Sequence, residues 1–312
     1  MPKLTRKRTL LVKTESSYNS DPTPTGGSNA ILVRDLNIEP VQSDEVSRDL
    51  IRGFIGNSEI LLSNTRVNVT CDVEMVGSGA AGTEPAYAPL LKSSGLKVAT
   101  VSSTSNTYTP EPDSSSYGSC TIYCNYDGVR HKITGCRGTF SISCELNQIP
   151  VISFSMTGIY SAPTDTTAPT CTYNATKPLL FKTGNTSAFS LFGYAGALQS
   201  WNFDMNNETV VRQLVGGTQE VMITDRKPSG SATVEAVALS AHNFFTDATG
   251  SSTGTNTFLH GTTAGNKVTI SCPQTDLGQP TYEDSDGVQM LNLPFVATPT
   301  SAGNDELSIA YS

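Results

Sequence analysis

The sequence predicts a mainly β protein built as two tandem β domains, each flanked by one α-helix. Three observations carry that prediction. The first is alternation. Within residues 119–163, Phe140, Ile142, Cys144 and Leu146 fall on one face, while Thr139, Ser141, Ser143 and Glu145 fall on the other. Ile152, Phe154, Met156 and Tyr160 then oppose Ser153, Ser155 and Thr157. Side chains of a strand point alternately to its two faces, so period two means one dry face and one wet face. The second is composition. Of 312 residues, 37% are hydrophobic and only 15% charged, where about a quarter charged is usual, and Gly, Ser and Thr fill the difference. The third is an internal echo, Phe140-Ser-Ile-Ser-Cys144 against Val268-Thr-Ile-Ser-Cys272. It recurs within a similar strand–helix–strands order, as a duplicated domain would.

Taken in order, residues 9–15 form a short strand. Residues 16–29 are a polar Pro/Gly stretch without period, read as an exposed arm. Alternation resumes over 30–39, with a further strand or edge expected over 47–55. It is cleanest over 65–75, where Val67, Val69, Cys71, Val73 and Met75 oppose Arg66, Asn68, Thr70, Asp72 and Glu74. The Gly-rich stretch 77–83 has neither a Gly-Lys-Ser/Thr ending nor Gly-x-Gly-x-x-Gly, so it reads as a flexible connector rather than a phosphate loop. A helix over 84–94 follows, with Thr83 as its cap, Pro85 in its first turn and Gly95 closing it. Residues 102–118 read as a second long polar loop. Asp127-Gly128 marks a tight hairpin, because both positions tolerate positive φ, and 147–150 a connector between antiparallel strands.

Residues 161–170 (SAPTDTTAPT) are the linker, dividing a first domain, 1–165 with an arm over 1–30, from a second, 166–312. In the second, 198–210 reads as a strand pair with Trp201, Phe203 and Met205 inward. Strands over 220–225 and 231–235 flank the turn 227–230. A helix is expected over 236–247, and strands over 268–272, 288–297 and 306–311 close the chain.

Charge is uneven. Residues 1–160 hold 14 basic and 15 acidic side chains, net −1, and residues 161–312 hold 6 and 13, net −7, of a total −8. Such a balance argues against gripping nucleic acid by neutralising phosphates. Acidic loops at 282–286 and 304–306 supply much of the excess, and charge runs of this kind usually face water. The apolar run Leu10-Leu11-Val12 is too short for a secretory signal, and nothing approaches the roughly 18 apolar residues of a membrane span. Seven cysteines are an odd number, and most lie on apolar phases of strands. All seven are expected as buried free thiols of a reducing compartment. No close Cys-x-x-Cys pair would let His131 join a metal cluster.

The search for catalysis finds nothing. His131, His242 and His260 sit in no recognisable constellation, and Gly-x-Ser-x-Gly, His-Glu-x-x-His and P-loop patterns are missing from the sequence. The reading is a structural protein without cofactor or metal, whose sheet edges and arm serve assembly.

Specific stretches then resemble a known family. Residues 67–75, Gly77-Ser-Gly-Ala, Pro89-Leu-Leu-Lys-Ser-Ser-Gly95, Ile122-Tyr-Cys-Asn-Tyr-Asp-Gly-Val, Gly135-Cys-Arg-Gly-Thr-Phe140 and Phe154-Ser-Met-Thr-Gly-Ile-Tyr-Ser-Ala-Pro163 are similar to tail tube (major tail) proteins of phages with long non-contractile tails. The likeness is clearest over 60–163 and extends through Asp225-Arg-Lys-Pro-Ser-Gly230 and the closing strands. It implies a β-sandwich in each domain and rings of six-fold or pseudo-six-fold symmetry stacked around a DNA channel. With a doubled domain the ring would be a trimer. Partners would be other copies, other tail proteins and DNA in transit without specific binding, with no membrane. The location would be the virion tail, assembled in the host cytoplasm. Candidate lumen acids are Asp284, Asp286, Asp305 and Glu306. Candidate inter-subunit or inter-ring contacts are Arg6, Arg8, Tyr18, Pro22, Pro24, Gly79, Tyr108 and Pro110. The alternatives are a tail-tip hub, a capsid decoration, or a carbohydrate-active or peptidase-like β protein.

Overall fold

The computed structural model describes residues 2–250 and 252–312. Among the described residues, twenty strands, three short α-helices and one 3-10 turn (Ser114–Ser116) follow one another. β1 (Arg8–Thr14) leads through a one-turn helix α1 (Gly26–Asn29) to β2 (Ala30–Ile31), β3 (Leu36–Ser47) and β4 (Ile60–Glu74). Helix α2 (Ala88–Ser93) precedes β5 (Leu96–Val101), β6 (Ser105–Pro110), β7 (Cys120–Tyr126), β8 (Val129–Glu145), β9 (Val151–Ile159) and β10 (Thr164–Asp165). Then come β11 (Thr186–Leu191), β12 (Leu198–Asp204), β13 (Asn207–Arg212), β14 (Glu220–Arg226) and β15 (Ser229–Glu235). Helix α3 (Phe244–Thr249), β16 (Thr253–His260), β17 (Val268–Leu277), β18 (Thr281–Ser285), β19 (Val288–Ala297) and β20 (Ser308–Tyr311) finish it.

All the strand pairs named below are antiparallel. The principal sheet runs β3-β4-β9-β8-β12-β15-β19-β18. A second runs β5-β6-β20-β17-β16-β11, and the end of β17 crosses to pair with β19. The first half of β8 turns away to join β2-β1-β7 and β10. Its 17 residues serve two sheets because the register shifts between Thr134 and Arg137. Gly135 there has φ +60, and Gly138 lies so close to Ser155 of β9 that a Cβ would collide with its carbonyl oxygen. Sheet corners use such bulges and glycines.

The alternating faces point where the sequence places them. Val67, Val69, Cys71 and Val73 of β4, Phe140, Ile142 and Cys144 of β8, and Ile152, Phe154 and Met156 of β9 are all buried in one core. Trp201 meets Phe258 of the opposing sheet with ring centroids 5.0 Å apart and its indole N–H donates to Asn256 Oδ1 at 3.3 Å. Asp127 (φ +39) and Gly128 (φ +93) form the two-residue hairpin, with Tyr126 opposite Val129.

Several elements differ from expectation. Helix α2 begins at Ala88, not 84, because Pro89 fits only the first helical turn. Its cap is Tyr87 rather than Thr83, and Gly95 (φ +80) ends it as read. The helix expected over 236–247 is α3, displaced to 244–249. Asn243 sets its start by accepting a bond from the Thr246 amide at 3.1 Å. Residues 48–59 are an irregular hairpin tip rather than a strand. The polar stretch 102–118 contains β6, whose Asn106, Tyr108 and Pro110 face inward while Ser105, Thr107 and Thr109 face out. β12 and β13 do not pair with each other, nor do β14 and β15. β12 lies between β8 and β15, and β13–β14 form a separate hairpin. The glycine-rich stretch 77–83 is docked, not free: Gly77 N–H donates to Asn266 Oδ1 at 2.9 Å and Gly79 N–H to Gly265 O at 3.0 Å. Six thiols are buried, but Cys171 is only half-buried.

Candidate functional site

The outer face of the principal sheet is the largest surface that the strand pattern builds. Opposed residues in antiparallel strands share a face, so the register gives continuous rows. One runs Asp72–Ser153–Ser141–Asp204–Ser229–Val296–Asp276 across β4, β9, β8, β12, β15, β19 and β17. The next runs Glu74–Val151–Ser143–Asn202–Ser231–Pro294. On the other side, Thr70, Ser155 and Thr139 align. The face is mostly hydroxyl and amide with scattered carboxylates, interrupted by Val151, Pro294 and Val296, and covered at Thr139 by β13, whose Asn207 N–H donates to the Thr139 hydroxyl at 3.1 Å; the opposite face makes the core.

Among the described residues, none of Asp72, Glu74, Glu145, Asp204 and Asp276 forms an ion pair. Arg66, the cation at one border, is engaged by Asp44 at 3.3 Å. Arg137, which the register would also put on this face, is buried beneath β14. It bonds Glu220 at 3.0 Å and Val221 O at 2.8 Å, with its guanidinium 4.7 Å from the Tyr18 ring. In the first row a carboxylate recurs on every third strand. At a strand spacing of about 4.8 Å that is about 14 Å between charges, beyond the Debye length of about 8 Å at physiological salt. The face is therefore acidic without strong repulsion between its own acids.

A second surface is the β3–β4 hairpin. Beyond Arg66 it leaves the body of the fold and exposes Ile60 (57%), Leu61 (55%) and Leu62 (58%), then Ile51 (102%), Phe54 (68%) and Ile55 (106%) at its tip. Contiguous apolar surface of this kind marks an interaction site.

The candidate residues are distributed as follows. Asp284 and Asp286 are exposed at the β18–β19 turn, where Asp286 has φ +53. Asp305 accepts bonds from the Thr300 amide and hydroxyl, which hold its carboxyl below the usual range. Glu306 is buried and paired with Arg226 at 3.2 Å, so its charge is compensated. Arg6 is exposed; Arg8 donates to Leu36 O at 2.6 Å and lies over the Tyr126 ring. The Tyr18 hydroxyl accepts from Val221 N–H at 2.6 Å, and burial pushes its pKa up to about 12. Pro22 O accepts from Lys13 Nζ at 3.0 Å, Pro24 is buried, and Gly79 is exposed. Tyr108 and Pro110, expected on an exposed loop, face the core; the Tyr108 ring meets Tyr311 edge-on at 5.7 Å. The hairpin tip did not stand out in the sequence. Its signal was an apolar run, Leu50-Ile51…Phe54-Ile55, broken by Gly53 and Gly56 and following no period.

A model of the family described as phage tail tube protein matches residues 5–297. The chain belongs to that family. No curated protein matches it. As a tail tube protein the chain is a structural component of the phage tail. Two histidines of this tail tube protein are engaged by neighbours within the fold. His260 is buried between Thr186, 3.0 Å from Nδ1, and Leu179 O, 3.2 Å from Nε2. His242 Nε2 lies 2.8 Å from Asp247 and the ring packs on Phe244 at 4.3 Å. No cluster of His, Cys, Asp and Glu suited to a metal occurs among the described residues.

Proposed function

We propose that the chain self-assembles into rings that stack into the tube of a long non-contractile tail, the conduit for DNA ejection, and that the outer face of the principal sheet borders the lumen. The observation that carries this reading is the unpaired acid and hydroxyl face, which crosses from the strands of residues 1–165 into those of 166–312 without a break. A wall of that chemistry offers phosphate no counter-charge, and the counterions of the DNA stay with it. Each half acts as one tube domain, so three chains make a pseudo-six-fold ring. Assembly proceeds in the host cytoplasm, with other tail proteins at the ends of the stack. Glu283, opposite Met290 on β18, extends the acidic wall toward its rim, with Asp286 on the exposed turn beyond it, while Asp284, opposite Gln289, falls on the other phase of the strand. Arg6, Gly79 and the arm around Tyr18 and Pro22 supply surface for neighbouring copies, alongside the β3–β4 hairpin.

The test is native mass spectrometry and electron microscopy of the purified chain at rising concentration. Trimers and tubes are expected, with Asp72, Asp204 and Asp276 lining the bore in the tube reconstruction. A monodisperse monomer at high micromolar concentration with no tubes refutes assembly, and tubes with these acids outside refute the lumen assignment.

A further inference from the structure

The β3–β4 hairpin carries a knob at one end and a hole at the other. The knob is the tip, where Ile51, Phe54 and Ile55 are 102%, 68% and 106% exposed. The hole is a pocket of about 230 Å³ at the base, lined by Leu32, Val33, Val76 and Tyr87 together with the charged Arg34 and Glu74. An apolar cavity of about 150 Å³ already accepts a benzene ring, so this one has room for a phenyl side chain. We propose that the hairpin tip of one copy of this chain docks in the base pocket of a second copy, with Phe54 as the inserted side chain. The inference rests on the assembly reading and names the contact that joins copies.

Two observations select a second copy as the occupant. The first is geometry. β4 spans 15 residues from tip to base, about 45 Å in an extended strand, so a hairpin cannot place its own tip in its own pocket. The second is charge. The tip carries Asp49 and Arg52, and the pocket lining includes Arg34 and Glu74. Among the described residues none of the four has an ion-pair partner within the chain. Arg52 instead lies over its neighbour Phe54, 5.9 Å from the ring centroid. One free cation and one free anion on each surface match when tip meets base. Because knob and hole are different surfaces, the contact is heterologous and propagates rather than stopping at a dimer.

Leu32 is 59% exposed, so it and Phe54 can be replaced without opening the core. In a Cys171→Ser background, which removes the one half-buried native thiol, Leu32→Cys and Phe54→Cys are introduced together into the full chain and treated with a short bismaleimide under assembly conditions. A ladder of covalent species beyond the dimer is expected, with neither single variant giving one. Tubes that form normally with no ladder overturn this contact and leave assembly standing. So does a ladder obtained instead with Phe54→Cys and Val215→Cys, which would seat the tip in the cleft beside the β13–β14 hairpin. A parental chain that never assembles overturns the assembly reading itself, and this contact with it.

Discussion

Glu15 ties the amino-terminal arm to the body of the fold, and replacing it tests how that tie works. It is 8% exposed and, among the described residues, forms no ion pair. One carboxylate oxygen accepts from Thr121 Oγ1 at 2.6 Å and from Gly135 N–H at 2.8 Å, the other from Ser119 Oγ at 2.6 Å and Asn19 N–H at 2.8 Å. The Gly135 amide is buried, whereas Asn19 is exposed and can turn to water. Glu15→Ala therefore strands one buried backbone donor, worth about 1–3 kcal/mol, and removes two charge-assisted hydroxyl bonds of similar size, part of which water recovers. The expected loss is about 3 kcal/mol. Glu15→Gln keeps the shape but turns one acceptor into a donor aimed at donors, with an expected loss of about 2 kcal/mol. Urea unfolding at pH 7 measures both as a lower midpoint at constant slope. Limited proteolysis should cut residues 16–29 faster in each variant, since those bonds hold the arm against β7 and β8. A Glu15→Gln protein within about 0.5 kcal/mol of the parent, the usual range for surface changes, would show that the four bonds do not act as drawn.

Asp204→Lys with Asp276→Lys should leave tubes intact but slow DNA release from particles, with added salt relieving the defect; release at the parental rate at every ionic strength removes those positions from the lumen. Native protein should react with a thiol reagent at Cys171 alone and denatured protein at seven sites, because burial pushes the Cys71 and Cys272 thiols up to about 12; rapid modification of all seven in the native state would contradict the packing. Burial holds the pKa values of His131 and His260 below the ordinary 6.5. As pH falls through about 6.5 the unfolded chain gains protons that the folded chain does not, so stability should fall. The His131→Asn/His260→Asn double variant should lose less stability between pH 7 and 5 than the parent, and identical slopes would remove these residues as the cause.

Strand faces were legible in the sequence and strand partners were not. The alternation around Phe140, Phe154 and Val69 fixed which side chains are buried, because period two is a local property. It says nothing of neighbours, so β12 and β13 read as a hairpin although Trp201 pairs toward Cys144 and Ala232. β6 was hidden because only Asn106, Tyr108 and Pro110 face inward, and two of those are poor strand formers. The capping role of Asn243 is written in its residue type, but the alanine-rich stretch before it carries the stronger helix propensity. Of the candidate site, the hydroxyl faces of β8 and β9 were visible as sequence. Their union with Asp72, Asp204 and Asp276 depends on long-range register. Glu306 read as a loop acid because its partner Arg226 is distant in the chain.

The ladder between β8 and β12 has a consequence for shape. Glu145 to Ser141 is hydrogen-bonded register for register to Ser200 to Asp204, so the angle between the two halves is inherited from sheet twist, about −20 to −25° per strand pair, and not from the tether at 161–170. Lengthening that tether should leave the curvature of any assembly unchanged. Inserting a single residue into β8 or β12 would rotate one half against the other and flip its polar face inward. The setting of one half against the other is thus held by two ladders, β8–β12 in one sheet and β6–β20 in the other.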